Sequence, residues 1–129
     1  EKLMVFGDDY NTPDGSCIRD FIYVVDLAKA HVCAMKRIVE GENEDPVEIY
    51  NVGTGKGVSV LELINTFEKC TGVKLNYEIV GRRAGDIEKV WGNVEKANKV
   101  LGWKAEHTLE DSLSSAWKWQ QELRKRGIM

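Results

Sequence analysis

The sequence has two prolines, two histidines and three cysteines, and none of these scarce residues forms a cluster. Cys17, Cys33 and Cys70 are odd in number, widely spaced and without a Cys-x-x-Cys pair. That pattern argues against a disulfide framework and a cysteine zinc site, and fits buried or incidental thiols in a reducing cytosol. His31 and His107 share no local group of cysteine or carboxylate at metal-ligand spacing, so no metal is expected. The apolar runs fall far short of the roughly 20 residues that cross a bilayer, and no charged-then-apolar leader opens the chain. A soluble, unsecreted, cytoplasmic protein with no membrane partner is expected. Charge of one sign is lacking too: 18 basic and 21 acidic residues are mixed along the chain. There is no basic face for a polyanion, which argues against nucleic acid as a partner.

What is present suits one small domain over residues 1–129, with 43% apolar and 30% charged residues. Such a chain should bury roughly two-thirds of its unfolded surface, enough for one core. The opening Glu1-Lys2-Leu3-Met4-Val5-Phe6-Gly7 has no initiator methionine and reads as a strand entered in mid-course, as in a fragment. Leu3 to Phe6 and Phe21 to Val25 are read as strands around a turn-rich loop containing Pro13 and Asp14-Gly15. Asp26 is expected to cap a helix from about Leu27 to Glu40, closed by Gly41. Val47 to Val52 reads as a strand, and Ser59 with Glu62 forms a capping box for a helix closed by Gly72. Leu75 to Val80 alternates like a half-buried strand, and Val90-Trp91 reads as a short one. Asn93 and Thr108 are expected to cap two further helices. The sum is an α/β fold, a small mixed sheet with about four helices. Trp91, Trp103, Trp117 and Trp119 are many large aromatics for this length, so some apolar surface is expected to have met a missing part of the protein.

Three segments could carry chemistry. Gly53-Thr54-Gly55-Lys56-Gly57 follows a predicted strand but matches neither a Walker loop nor the dinucleotide fingerprint, and a tight strand-to-helix turn is the preferred reading. Gly81-Arg82-Arg83-Ala84-Gly85-Asp86 offers two guanidiniums and a carboxylate, which could hold a diphosphate and a sugar hydroxyl, or form a solvated loop with Arg83 paired to Asp86. Arg19-Asp20 is either an anion site or a buried structural pair. None of Tyr10, Tyr23, Tyr50 and Tyr77 has a lysine four residues later, so no Tyr-x-x-x-Lys proton-transfer pair is present and no catalytic residue is assigned.

In order along the chain, Phe6-Gly7-Asp8-Asp9-Tyr10, Thr12-Pro13-Asp14-Gly15 and Arg19-Asp20-Phe21-Ile22-Tyr23-Val24-Val25-Asp26-Leu27-Ala28 resemble the UDP-glucose 4-epimerase segment FGxDYxTxDGTxxRDYIHVxDLA. Tyr50-Asn51-Val52-Gly53-Thr54-Gly55, Ser59-Val60-Leu61-Glu62, Arg82-Arg83-Ala84-Gly85-Asp86 and Leu101-Gly102-Trp103 are similar to that family's YNLGTG, SVLE, RRPGD and LGW. The resemblance covers essentially the whole chain and is to the C-terminal, substrate-binding part of an extended short-chain dehydrogenase.

The resemblance implies a parent, expected to be a homodimer, whose N-terminal Rossmann half holds NAD and the catalytic Ser/Thr, Tyr and Lys. This part would grip the UDP-hexose and hold neither NAD nor a catalytic group. The implied reaction interconverts UDP-glucose and UDP-galactose: NAD takes hydride from C4, the 4-ketose turns over, and hydride returns to the other face. Carried over by motif, Arg19 and Arg83 would clamp the diphosphate, Asp86 would hold ribose hydroxyls, and backbone near Met4 and Phe6 would meet uracil. Phe21, also expected in the substrate site, stands where the family commonly has Tyr and would lack its hydroxyl contact; Tyr23 replaces His, Ser16 and Cys17 replace Thr and Gly, and Ala84 replaces Pro. Val90 stands where members carry either Tyr or a smaller residue beside the hexose. The alternatives are another nucleotide-sugar enzyme of the same superfamily, such as a uronate epimerase, decarboxylase or dehydratase, and a UDP-binding module without catalysis.

Overall fold

Helix ends set the frame of this computed structural model, which describes residues 2–128. Glu1, where the expected first strand is entered, and Met129 lie outside the described residues. In chain order the elements are β1 (Leu3–Phe6), β2 (Ile18–Arg19), α1 (Val24–Val39), β3 (Val58–Ser59), α2 (Val60–Thr71), β4 (Tyr77–Val80), α3 (Glu95–Val100) and α4 (Leu109–Lys125). β1 and β4 run parallel with Phe6 opposite Val80, and β2 and β3 run antiparallel with Arg19 opposite Val58. Strand pairs of both senses and four helices make the expected small mixed α/β fold.

α2 is the best-capped helix at its N-terminus. The Ser59 hydroxyl accepts from the Glu62 amide at 3.0 Å, the Glu62 carboxylate accepts from the Ser59 amide, and Gly72 ends the helix at φ 72°. The preceding loop completes the cap: Cys17 carbonyl takes the Val60 amide at 3.0 Å and Ser16 hydroxyl takes the Leu61 amide at 3.1 Å. Asp14 then accepts from the hydroxyls of both Ser16 and Ser59. The first three amides of α2 are thus satisfied, and the chain is fixed just before Arg19. Thr108 caps α4 in the expected way, through reciprocal bonds with Asp111. Phe67 of α2 meets Trp117 of α4 edge to face, with ring centroids 5.7 Å apart.

α1 begins earlier than expected. Val24 and Val25 belong to the helix, so the strand expected over Phe21 to Val25 is replaced by two residues of strand at Ile18–Arg19 and a connector. The β-branched pair yields here to tertiary context, as propensities often do. Asp26 is correspondingly not the N-cap, which is Tyr23. Asp26 is fully buried and accepts from the amides of Glu106 and His107 at 3.1 and 3.0 Å and from His107 Nδ1 at 2.8 Å. Burial pushes its pKa up, but these hydrogen bonds outweigh that and hold it below the usual value. The Trp103 indole N–H donates to the Asp26 carbonyl at 2.9 Å, and Trp103 packs with Ala30 and Ala97 in the central cluster.

Two more expectations change. Val47 to Val52 forms no strand: Val47 and Ile49 are exposed, while Tyr50 and Val52 turn toward the central cluster. The segment is held instead by Glu48, which receives two bonds from Arg37 at 2.8 and 3.0 Å and one from the Tyr50 hydroxyl at 2.8 Å. The expected Val90-Trp91 strand is reduced to a parallel bridge between Lys89 and Ile18, with the Val90 amide donating to Ile18 at 3.1 Å. Asn93 stands one residue before the N-cap position of α3, Val94, yet its side chain accepts from the Glu95 amide at 3.0 Å.

Candidate functional site

Because β1 and β4 are parallel and in register, both strands end on the same side, and the loops that follow them meet. The Gly7 amide donates to Val80 at 2.9 Å, at the point where the Asp8-Asp9-Tyr10 loop and the Gly81 to Asp86 loop diverge. Adjacent arginines divide the space between them. Arg82 is fastened to the first loop: its Nε donates to Asp9 Oδ1 at 2.6 Å and its guanidinium lies 4.0 Å from the centre of the Tyr10 ring. Asp9 is held below its usual pKa by that bond.

Arg83 turns the other way. Its guanidinium lies 5.1 Å from the centre of the Phe6 ring, and Nη2 donates to Asp86 Oδ1 at 2.8 Å, the bond that raises the Arg83 pKa. The same Asp86 oxygen lies 3.8 Å from Arg19 Nη2, so a third segment enters the cluster. The Asp86 side chain is 10% exposed, against 28% for Arg19 and 62% for Arg83. One sheltered carboxylate thus sits between two guanidiniums, leaving a net positive charge with donors free to turn outward. Met4 and Phe6 share one face of β1 and are exposed, whereas Val5 on the other face is buried. The arrangement places an apolar strip beside a guanidinium pair, which suits a ligand with a flat ring at one end and an anion at the other.

Of the expected site residues, Arg19, Arg83, Asp86 and Phe6 are brought together by these contacts, and Met4 lies two residues back along the same strand. Val90 follows the bridge that pairs Lys89 with Ile18, beside the strand that carries Arg19, and is exposed. Phe21 is set apart: it lines a cavity of about 490 Å³ with Thr54, Lys56 and His107. Arg83 and Asp86 are paired to each other, as the solvated-loop alternative requires, and the pair is also shared with Arg19.

The two readings of Asp20 and of the glycine-rich turn meet in one contact. Asp20 accepts from the Thr54 amide at 2.9 Å, the Thr54 hydroxyl at 2.6 Å and the Gly55 amide at 3.1 Å. A Cβ at Gly53 would fall 2.5 Å from the Asp20 carboxylate, so only glycine allows this approach. The turn's amides therefore already hold an anion, the chain's own, and they do not offer a cradle for a dinucleotide phosphate. Sequence reasoning weighed Asp20 without finding its partner, because the match lies 34 residues along the chain. It passed over Asp9 and Tyr10 as partners of Arg82 for the same reason.

The sequence profile of the family described as GDP-mannose 4,6 dehydratase matches residues 2–116. A UDP-glucose 4-epimerase of Yersinia enterocolitica is 49% identical over 120 residues, which is 93% of this chain and 34% of that protein. A crystal structure of UDP-glucose-4-epimerase from Stenotrophomonas maltophila, with bound NAD and formylated UDP-arabinopyranose, superposes with a TM-score of 0.91 at 44% identity. It is covered over 36% of its chain, and this chain over 97%. The UDP-Glc/GlcNAc 4-epimerase from Campylobacter jejuni superposes with a TM-score of 0.82 at 38% identity, over 94% of this chain and 36% of that one. The chain spans about a third of the length of the curated relatives it matches.

Proposed function

The chain belongs to the family described as GDP-mannose 4,6 dehydratase and has UDP-glucose 4-epimerases among its relatives, and from that premise we propose that it is the UDP-sugar-binding part of a UDP-glucose 4-epimerase. The parent interconverts UDP-glucose and UDP-galactose through a 4-keto sugar. The observation that carries this reading is the meeting of Arg19, Arg83 and Asp86 beside the exposed Phe6 ring. Arg19 and Arg83 take the diphosphate, each guanidinium facing phosphate oxygens in its plane. Asp86, relieved of one arginine, accepts from ribose hydroxyls, and the β1 edge at Met4 and Phe6 receives the uracil.

NAD, which the structure from Stenotrophomonas maltophila holds, does not fit this chain. The glycine-rich turn after Val52 is filled by Asp20, and no Tyr-x-x-x-Lys pair is present. The cofactor and the proton-transfer groups belong to the remaining, N-terminal part of a parent that works as a cytosolic homodimer. The chain alone, with NAD supplied, should neither bind it nor turn over UDP-galactose, while the full-length parent should do both. Coupled assay and calorimetry on the two proteins test this: turnover by the chain alone, or none by the parent with either hexose, would overturn the assignment.

A further inference from the structure

Tyr10 is 6% exposed, and its hydroxyl finds no hydrogen-bond partner among the described residues. Buried polar atoms are nearly always paired, and one left unpaired is a cost to the fold. The ring that carries it is pinned. The Arg82 guanidinium, tied to Asp9, lies 4.0 Å from the ring centre, and the Cε2 edge sits so close to Gly7 that a Cβ there would fall 2.6 Å from it. Arg82 thus has a use of its own in the free protein, which is to fix where this phenol points.

The chain brings the guanidinium cluster to the same place. Ile18 donates its amide to Glu88 at 2.9 Å and accepts from the Val90 amide at 3.1 Å, which lays the start of β2 alongside residues 88–90, just past Asp86. Side chains alternate along an extended segment, so Cys17 and Arg19 share the side opposite Ile18, whose Cγ2 lies against Gly57. On that side Arg19 approaches Asp86, and the buried Cys17 thiol stands beside the Tyr10 hydroxyl as a weak partner for a phenol. Burial above all, then Cys17 and the Asp86 charge, pushes the Tyr10 pKa up, so the phenol keeps its proton and remains a donor. Asp86 has need of one. Its Oδ1 accepts from Arg83 at 2.8 Å in this structure, and a diphosphate that draws Arg83 outward would strip that bond from a carboxylate whose side chain is only 10% exposed.

We infer that Tyr10 is a positioning residue of the UDP-sugar site: when the guanidiniums turn to the diphosphate, its hydroxyl donates to the Asp86 carboxylate and holds it toward the ribose. This role rests on the reading above of Arg19, Arg83 and Asp86 as the grip on UDP. Tyr10→Phe in the full-length parent deletes the hydroxyl alone, and calorimetry with UDP together with melting of the free protein tests it. Binding at least about five-fold weaker than wild type is expected. The melting temperature should equal or exceed that of wild type, because the deleted hydroxyl has no partner in the free fold. In an Asp86→Ala background the same substitution should change UDP affinity by less than about two-fold, as two residues acting through one contact require. A smaller loss in the otherwise wild-type protein, a larger one in the Asp86→Ala background, or a lowered melting temperature overturns the proposal. A wild-type parent that binds no UDP sinks the reading of the site and this role with it, whereas UDP bound equally by wild type and Tyr10→Phe sinks this role alone.

Discussion

Asp86 serves two arginines at once, and its substitution differs from theirs for that reason. If Arg83 clamps the diphosphate as proposed, Arg83→Ala should cost UDP binding about 1.5 to 3 kcal/mol. Asp86→Ala should lose the proposed ribose contact but also free Arg19 and Arg83 from the oxygen they share, so its loss should fall at the lower end of that range. Calorimetry with UDP on the full-length parent measures both, and unchanged affinity in both variants would return the loop to a purely structural role. Val90 sets a second prediction at this scale. It is exposed next to the strand carrying Arg19, and its volume is much smaller than that of tyrosine. The parent should therefore accept UDP-N-acetylhexosamines, and Val90→Tyr should depress that activity far more than turnover of UDP-galactose; equal loss of both would remove Val90 from the pocket. That Arg83 and Asp86 pair was legible because they stand in one short motif, whereas Arg19, far back along the chain, joins them only through the fold. By residue chemistry alone Arg82 was not separable from Arg83; the resemblance singles out Arg83, and in the fold Arg82 is taken up by Asp9 and Tyr10.

At the scale of elements, legibility follows the range of the interaction that fixes each one. The caps at Ser59 and Thr108 are complete within four residues and both stand where the sequence places them, the box at Thr108 being completed by Asp111, which the sequence reading did not name. Asp26 looked like a cap because a cap is the nearest use for an aspartate before a helix; its actual partner, His107, lies 81 residues away. Val47 to Val52 has strand composition, yet the Glu48 to Arg37 pair pins it against the end of α1 without a neighbouring strand. That pair predicts an acid response. Bonds from Arg37 above all lower the Glu48 pKa from 4.5 to about 2. A carboxyl depressed on folding contributes its stability in full above its unfolded value and loses it as pH falls through the folded one. Glu48 should therefore stabilise the fold above pH about 4.5 and lose that contribution toward pH 2. Melting temperatures of Glu48→Gln should be lower than wild type at neutral pH and flatter across that window. Parallel curves would show that Glu48 does not report its titration to the fold.

For the molecule as a whole, the helix count and mixed strand pairing followed from periodicity and turn residues, but the distribution of the apolar surface did not. Periodicity shows that a helix has two sides without showing which of them meets its own domain. On α1 the exposed side chains include Val24, Val32, Met35, Ile38 and Val39, and on the parallel β1–β4 pair Leu3, Met4, Tyr77 and Ile79, a distribution with a thermal consequence. Unfolding raises the heat capacity mainly by wetting apolar surface, and a chain of 129 residues would ordinarily show about 1.5 to 1.9 kcal/mol/K. Side chains such as Val24, Met35 and Val39, already wet in the folded chain, add little to that change. Scanning calorimetry of the chain alone should accordingly give a value below that range, and one inside it would mean that the chain covers these faces by itself. The deficit should reappear in the parent as a negative heat-capacity change when its parts close on each other, so the folded chain carries part of its hydrophobic stabilisation unspent until that closure.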